Sequence, residues 1–360
     1  MSIIVYGGLD VHQQMISAYL FCQETGEVFS EEVPNERERL LRAARRWAKL
    51  GELRLCYEAS GAGYVLQRWL EGAGVSCEVI APSRIPRAPG ERIKTDRRDA
   101  RKLATLYSAG VLAVVRVPDQ QEEMVRALVR LHAELTQNMT RAKNRLRKYL
   151  VTLGYRYPGK SWGRKHRAWL QALPLERIPR LIVQTHLAEL DQLLGQRQEV
   201  DRQIAEVAQQ ERYRPWVQRL LCLRSIGVYS AMVLLTESGD VRRFARAPHL
   251  MSYWGLVPKE DSSGERRRQG GITKTGSSRA RWVLTEAAWN QRCAPGSSAR
   301  LRQQWQTQPE EVVAIARQAE ERLHRKFWKV ALRKGPRTAT VAVAREMVGF
   351  VWALLSVEVN

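Results

Sequence analysis

Four carboxylates stand out in a chain that is otherwise strongly basic. Asp10 lies in "GLDVHQ", Glu58 in "YEAS", and Asp96 and Asp99 in "IKTDRRDARKLA". Asp10 and Glu58 fall at or just beyond the ends of two β-rich runs, "IIVYGGLDV" and "LRLCYEAS". Ligand and metal sites of open α/β sheets collect at such strand ends. Asp96 and Asp99 are three apart on a predicted helix, so they share one face. Together the four could form an oxygen-rich cage. Mg2+ takes few protein carboxylates and completes its shell with water and phosphate oxygens. Two such ions clamp an in-line phosphoryl displacement. Acids at helix starts also serve the helix dipole alone, so the surroundings matter. Arg84, Arg87, Arg92, Lys94, Arg97, Arg98, Arg101 and Lys102 bracket Asp96 and Asp99. Cations beside metal-binding acids suit a phosphate backbone delivered to the site.

A second reactive stretch is "PKEDSSGERRRQGGITKTGSS". A serine that attacks a phosphodiester needs an exposed hydroxyl, room for the phosphate and cations for the developing charge. Ser263, before Gly264 and Arg266, Arg267 and Arg268, meets those needs, with Lys274 further on. Ser262 is adjacent and chemically equivalent. The bland alternative is a basic loop that grips phosphate without reacting. A third stretch, residues 126–167, has one acid, Glu134, among many Lys and Arg, including Lys143, Arg147, Lys160 and Arg164. Tyr155, Tyr157 and Trp162 are interleaved, which suits base stacking and backbone contact, including structured RNA. The alternative is a solvated helical face, and such faces usually mix signs.

The elements that must position these residues can be read from the pattern. In the first third, "ISAYLFCQ", "ETGE" and "VFSEEV" read as a hairpin after the first strand. Strands "LRLCYEAS" and "SCEVIAP" alternate with helices "ERERLLRAARRWAKL" and "GYVLQRWLEGAG". "TDRRDARKLATLYSAG" reads as a helix with Thr95 at its N-cap. A mostly parallel sheet with an antiparallel flap follows. In the middle third, Leu128, Leu131, Leu135, Met139, Ala142, Leu146, Tyr149 and Leu153 recur in a coiled-coil rhythm, and a second helical run follows the linker "YRYPGKSWGRKH". The pair makes either an arm that reaches a partner subunit or an intramolecular hairpin. The last third, from near Trp216, is helical around the serine loop. The expected class is α/β plus α, with domains at 1–117, 118–215 and 216–360.

Composition constrains partners. The 360 residues carry 59 Lys and Arg against 37 Asp and Glu, a net charge of +22, which attracts polyanions, nucleic acid above all. The five cysteines are scattered with no zinc spacing, which points to a reduced compartment. The start "MSIIVYGG" lacks a basic n-region. The apolar run "MVGFVWALLSV" is too short to span a bilayer. A cytoplasmic, nucleoid-associated protein with no membrane partner is expected.

Taken together these motifs resemble the transposases of the IS110 group of bacterial insertion sequences, the DEDD transposases that include bridge-RNA-guided recombinases. "GLDVHQ", "YEAS" and "KTDRRDARKLA" are similar to the RuvC-like, ribonuclease-H-fold domain of that family. "LRSIGVYSA" and "SGDVRRFARAPHLMSYWGLVPKEDSSGERRRQGGITKTGSSRARWVL" are similar to its C-terminal transposase domain. The resemblance covers nearly the whole chain. It implies that Asp10, Glu58, Asp96 and Asp99 form an acidic tetrad for Mg2+. It implies that Ser263, the serine before the glycine, is a nucleophile forming a 5′-phosphoserine link. It further implies double-stranded donor and target DNA, a non-coding bridge RNA, and a homodimer that becomes a tetramer. One departure is "SIGVYS", where the family commonly has a Pro-Gly hairpin; Gly227 remains without a preceding proline. Three rivals stand beside this reading: a metal-dependent nuclease resembling Holliday-junction resolvases, a catalytically dead nucleic-acid binder, and a site-specific DNA invertase of the same family.

Overall fold

The computed structural model describes residues 3–86, 95–260, 269–296 and 298–357. Arg87, Arg92, Lys94, Ser262, Ser263, Arg266, Arg267 and Arg268 lie outside the described residues. The chain divides into two units, Met1–Pro118 and Asp119–Asn360.

The first unit is built on a five-stranded sheet. Its strands are β1 (Ile4–Val11), β2 (Met15–Cys22), β3 (Val28–Pro34), β4 (Glu52–Glu58) and β5 (Ser76–Ile80), in the order β3-β2-β1-β4-β5. β3, β2 and β1 pair antiparallel, whereas β1, β4 and β5 run parallel. The mixed sheet agrees with a parallel core carrying an antiparallel flap, and with a RuvC-like domain.

Period-two alternation sorts the side chains. Val5, Leu9, Leu53, Leu55 and Tyr57 pack into one core with Leu40, Ala43, Ala44 and Trp47 of α1 (Arg37–Trp47) and Leu66 and Leu70 of α2 (Val65–Glu71). The alternate residues Gly8 and Cys56 face α3 (Asp96–Ser108), through Ala100, Leu103 and Ala104. Asp10 and Glu58 continue that second face.

α3 starts after Thr95, as the cap pattern requires, but the Thr95 side chain makes no cap hydrogen bond. The Thr95 carbonyl instead accepts from the Arg98 and Asp99 amides, at 2.9 and 3.0 Å. α3 lies unusually close to the sheet because of Gly8. A Cβ on Gly8 would run into the Ala100 carbonyl oxygen and come within 2.6 Å of the Ala104 nitrogen. Only a hydrogen at that position lets helix backbone rest on strand backbone.

The second unit is mainly helical: α4 (Gln120–Thr152), α5 (Arg164–Ala172), α6 (Arg177–Val207), α7 (Arg214–Leu220), α8 (Val228–Ser238), α9 (Ala247–Tyr253), α10 (Ser278–Trp289), α11 (Ala299–Gln306), α12 (Glu310–Lys334) and α13 (Pro336–Ser356). A small hairpin, β6 (Pro258–Glu260) and β7 (Gln269–Ile272), lies between α9 and α10. α4 and α6 pack antiparallel within the chain. Gln121 meets Gln210 at 3.3 Å, the His132 Nε2 is 3.0 Å from Asp201, and Arg145 pairs with Glu189. The seam differs in part from the heptad reading. Leu135, Met139, Ala142 and Leu146 are buried as expected, but Val125, Val129 and Leu150 join them while Leu131 is 42 % exposed. A straight helix drifts against a 3.5-residue repeat, which moves the buried stripe to neighbouring positions.

The base of the pair is tied into the main core of this unit. Val125, Val129, Leu135, Val200 and Ile204 cluster with α8, α10, α12 and α13. Arg130 donates to both carboxylate oxygens of Glu237, at 2.8 and 3.0 Å, and Glu237 is buried. Burial pushes the Glu237 carboxyl up, but the Arg130 hydrogen bonds and charge outweigh it and hold the carboxyl below its usual value. Its contribution to stability is therefore full above the ordinary glutamate range and is lost as pH falls through the lowered value. "MVGFVWALLSV" is the end of a longer helix: α13 is 21 residues and, by length and composition alone, could cross a membrane. Its Val343, Ala344, Met347, Val348, Val351 and Leu354 are fully buried in this core, which accounts for its composition.

Two stability outcomes follow from these contacts. Gly8→Ala should destabilise by about 1–3 kcal/mol in denaturant melts, as overpacking does. Gly61→Ala, whose Cβ would meet nothing within 4 Å, should change little. Arg130→Met should cost about 1–3 kcal/mol, because the buried Glu237 would keep only the Ser277 hydroxyl and the charge of Arg126. Adding Glu237→Gln to that variant should restore part of the loss; no restoration would remove the ion pair from this account.

Candidate active site

β1 and β4 deliver the first two carboxylates. Leu9 and Tyr57 are register partners in the parallel pair. Asp10 and Glu58 sit one step further, at neighbouring strand ends about 5 Å apart. Asp96 and Asp99 occupy the first turn of α3. The contact at Gly8 seats this helix on β1, and its N-terminal end faces the end of the strand.

The three closest ligand atoms belong to Asp10, His12 and Asp96, all within 4.8 Å of one another. His12 Nε2 is 3.4 Å from Asp10 Oδ2 and 3.3 Å from Asp96 Oδ1. Burial lifts the Asp10 carboxyl above its usual value. The His12 charge and hydrogen bond pull it back, whereas the charges of Asp96 and Asp99 push it up again. A carboxylate forced against others in this way is poised for a cation. Two oxygens and an imidazole nitrogen converging from a strand end, a turn and a helix start fit a divalent ion, and the residues present suit one. Asp99 reaches this cluster through its charge on Asp10, while Glu58 is exposed; neither belongs to the tight group of three.

His12 was not among the four carboxylates that the motifs single out. Its spacing could have revealed it, because a residue two beyond Asp10 continues the same face of an extended strand. The turn that carries His12 is braced. The His12 amide donates to the Met15 carbonyl at 2.9 Å, and the Asn35 side chain donates to the His12 carbonyl at 2.8 Å.

The serine loop, residues 261–268, lies outside the described residues, but its footing is described. Pro258 pairs with Ile272, the Thr273 amide donates to Val257, and the Lys274 amide donates to Gly255. Gly255 and Gly276 both take φ near +65°. A Cβ on Gly255 would collide with the backbone of Thr275, and one on Gly276 with the Tyr253 carbonyl. Arg281 clasps the crossing by donating to the carbonyls of Trp254, Thr275 and Gly276, at 3.1, 2.6 and 3.2 Å. Lys274 is exposed at the edge of this footing, itself at a positive φ of 58°.

The basic residues of 126–167 are less uniformly available than their count implies. Arg126 donates to the Thr236 carbonyl, and Arg130 to Glu237. Arg145 and Arg167 pair with Glu189 and Asp191 of α6. The single acid within the segment misled because α6 supplies others. The linker aromatics pack around buried His166 rather than standing free: its ring centroid lies 4.7 Å from Tyr157, 4.9 Å from Trp162 and 5.7 Å from Trp169. Lys143 lies 5.7 Å over the Trp162 ring. Arg97, Arg98, Arg147, Lys160 and Arg164 are exposed.

Two transposase family models match the chain. The DEDD transposase model of the IS110 group covers residues 7–154, and the transposase model of the IS116/IS110/IS902 family covers residues 217–305. The first spans the tetrad and the second spans the serine loop. The chain is 36 % identical to a putative transposase, y4qE, of Sinorhizobium fredii, over 85 % of this chain and 76 % of that protein. It is 30 % identical to the transposase for insertion sequence element IS1533 of Leptospira borgpetersenii, over 90 % of this chain and 95 % of the relative. It is 24 % identical to the transposase for IS1111A of Coxiella burnetii, over 83 % of this chain and 76 % of the relative. A DEDD domain depends on a divalent metal, and the cluster at Asp10 supplies donors for one. The chain belongs to the IS110 family of transposases, enzymes that cut and rejoin DNA.

Proposed function

We propose that this transposase excises and inserts an insertion sequence as a serine recombinase, with Asp10, Glu58, Asp96 and Asp99 holding Mg2+ and Ser263 as nucleophile. The observation that carries the metal half is the convergence of Asp10, His12 and Asp96 at the end of β1, where burial lifts the Asp10 carboxyl. Mg2+ would supply Lewis acidity to a phosphate oxygen. In the step itself, the Ser263 Oγ forms a bond to phosphorus while the bond from phosphorus to the 3′-oxygen breaks. The serine proton is lost and a proton is gained by the leaving 3′-hydroxyl. One phosphodiester replaces another, so no external energy source is needed and strand exchange can reverse the step. Arg266, Arg267 and Arg268 would bear on the developing charge, and the glycine-locked footing would hold the ends of their loop.

Exposed Arg97, Arg98, Arg147, Lys160, Arg164 and Lys274, with Arg92 and Lys94, are proposed to contact nucleic-acid backbone. The partners would be donor and target DNA and a non-coding bridge RNA that carries the sequence choice, in a dimer that becomes a tetramer. The setting would be the bacterial cytoplasm at the nucleoid. A hydrolytic nuclease is the second reading, since a carboxylate-held metal can activate water without the serine.

The decisive experiment combines the protein, its co-expressed flanking RNA, Mg2+ and labelled DNA spanning an element junction. A denaturant-resistant protein–DNA band is expected, absent in Ser263→Ala and in Asp99→Ala. Cleaved DNA without such a band, unaffected by Ser263→Ala, would leave the nuclease. The metal centre has its own thermal signature. Without divalent ions at neutral pH, Asp10→Asn should melt no lower than wild type, because it removes a carboxylate whose ionised form is disfavoured. Added Mg2+ should raise the wild-type Tm but not that of Asp10→Asn. The Mg2+ stabilisation should weaken as pH falls through the raised Asp10 value, at a higher pH than an ordinary aspartate would set; an unchanged response down to the usual aspartate range would refute this role.

A further inference from the structure

The cluster at the end of β1 contains a donor that an all-oxygen Mg2+ cage does not need. We propose that His12 Nε2 is a direct ligand of the divalent ion, which makes the centre a mixed nitrogen–oxygen site that favours first-row transition ions over Mg2+. The inference rests on the metal-centre reading above and adds the identity of a ligand and the ion preference that follows.

The geometry suits a shared ion better than a chance contact. Ligands about 2.1 Å from an octahedral ion are about 3 Å apart at adjacent corners and about 4.2 Å apart across it. The separations from His12 Nε2 to Asp10 Oδ2 and Asp96 Oδ1 are 3.4 and 3.3 Å. All three ligand atoms fall within 4.8 Å. A small inward adjustment of the side chains brings them to one ion. The imidazole is carried on a turn fixed by two hydrogen bonds, one from the His12 amide to the Met15 carbonyl and one from the Asn35 side-chain amide to the His12 carbonyl. The His12 side chain is 55 % exposed, so the remaining coordination positions open towards solvent, where a phosphate would enter. Imidazole nitrogen is a poor match for Mg2+, which demands hard oxygen, and a good one for Co2+, Ni2+ or Zn2+. The competing arrangement is an imidazolium that merely bridges two carboxylates. It would be displaced by the ion rather than bind it.

The two arrangements separate spectroscopically on the full chain. Mn2+ is the first probe, read by pulsed electron paramagnetic resonance for coupling to a ligand 14N nucleus. Wild type should show that coupling, and His12→Ala should lose it while still binding Mn2+ through the aspartates. Co2+ is the second probe, followed by its visible absorption. His12→Ala should weaken Co2+ by about tenfold or more, the scale on which metal sites respond to a lost partner, and shift Mg2+ affinity by less than about twofold. His12→Asn, which offers an oxygen, should keep Mg2+ binding without nitrogen coupling. Thermal melts of each variant confirm the fold. Mn2+ bound to wild type without nitrogen coupling would overturn the assignment of His12 and leave the aspartate centre intact. Coupling that persists in His12→Ala would do the same. Failure of wild type to bind any of these ions, with Asp10→Asn indistinguishable from it, would overturn the centre itself.

Discussion

The first unit depends on one close approach, the backbone of α3 resting on β1 at Gly8. The candidate centre draws one carboxylate from a strand end and two from the first turn of a helix distant in sequence. They meet because the helix lies a hydrogen atom's width from the strand, with Ala100 and Ala104 as the small residues that permit it. Electrostatics alone would separate Asp10, Asp96 and Asp99. Packing holds them together; burial lifts the Asp10 carboxyl above its usual value, and the charges of Asp96 and Asp99 add to that rise against the opposing pull of His12.

The second unit applies the same device with different parts. Gly255 and Gly276 let two chain segments cross, and Arg281 fastens three carbonyls at the crossing. The loop bearing Ser263 leaves from this fixed base. The acidic cluster and the base of the 261–268 segment both rest on backbone-on-backbone contacts.

Much of this was legible in the sequence. β1, β4 and β5 announce themselves as apolar runs between turn residues, and the hairpin of β2 and β3 follows from "ETGE". Asp10 and Glu58 could be placed at strand ends, and Asp96 and Asp99 on one helix face, because both periodicities are local. What could not be read was whatever depends on another segment. The role of Gly8 needs α3 beside it, and the closeness of His12 to Asp96 needs the helix seated. The heptad reading put Leu131 in the seam because pattern alone does not say where a straight helix departs from a supercoil. The linker aromatics invited a stacking role because nothing nearby in sequence shows that His166 draws their rings inward.

The pairing of α4 with α6 also bears on how the charge of the chain is counted. Arg145 and Arg167 already have carboxylate partners, and Arg126 and Arg130 are spent on the core. Groups neutralised within the fold release no counterions when a polyanion arrives. The salt sensitivity of the proposed nucleic-acid binding should therefore scale with exposed cations such as Arg97, Arg98, Arg147, Lys160 and Arg164. A titration of affinity against ionic strength would count those cations rather than the formal charge of +22.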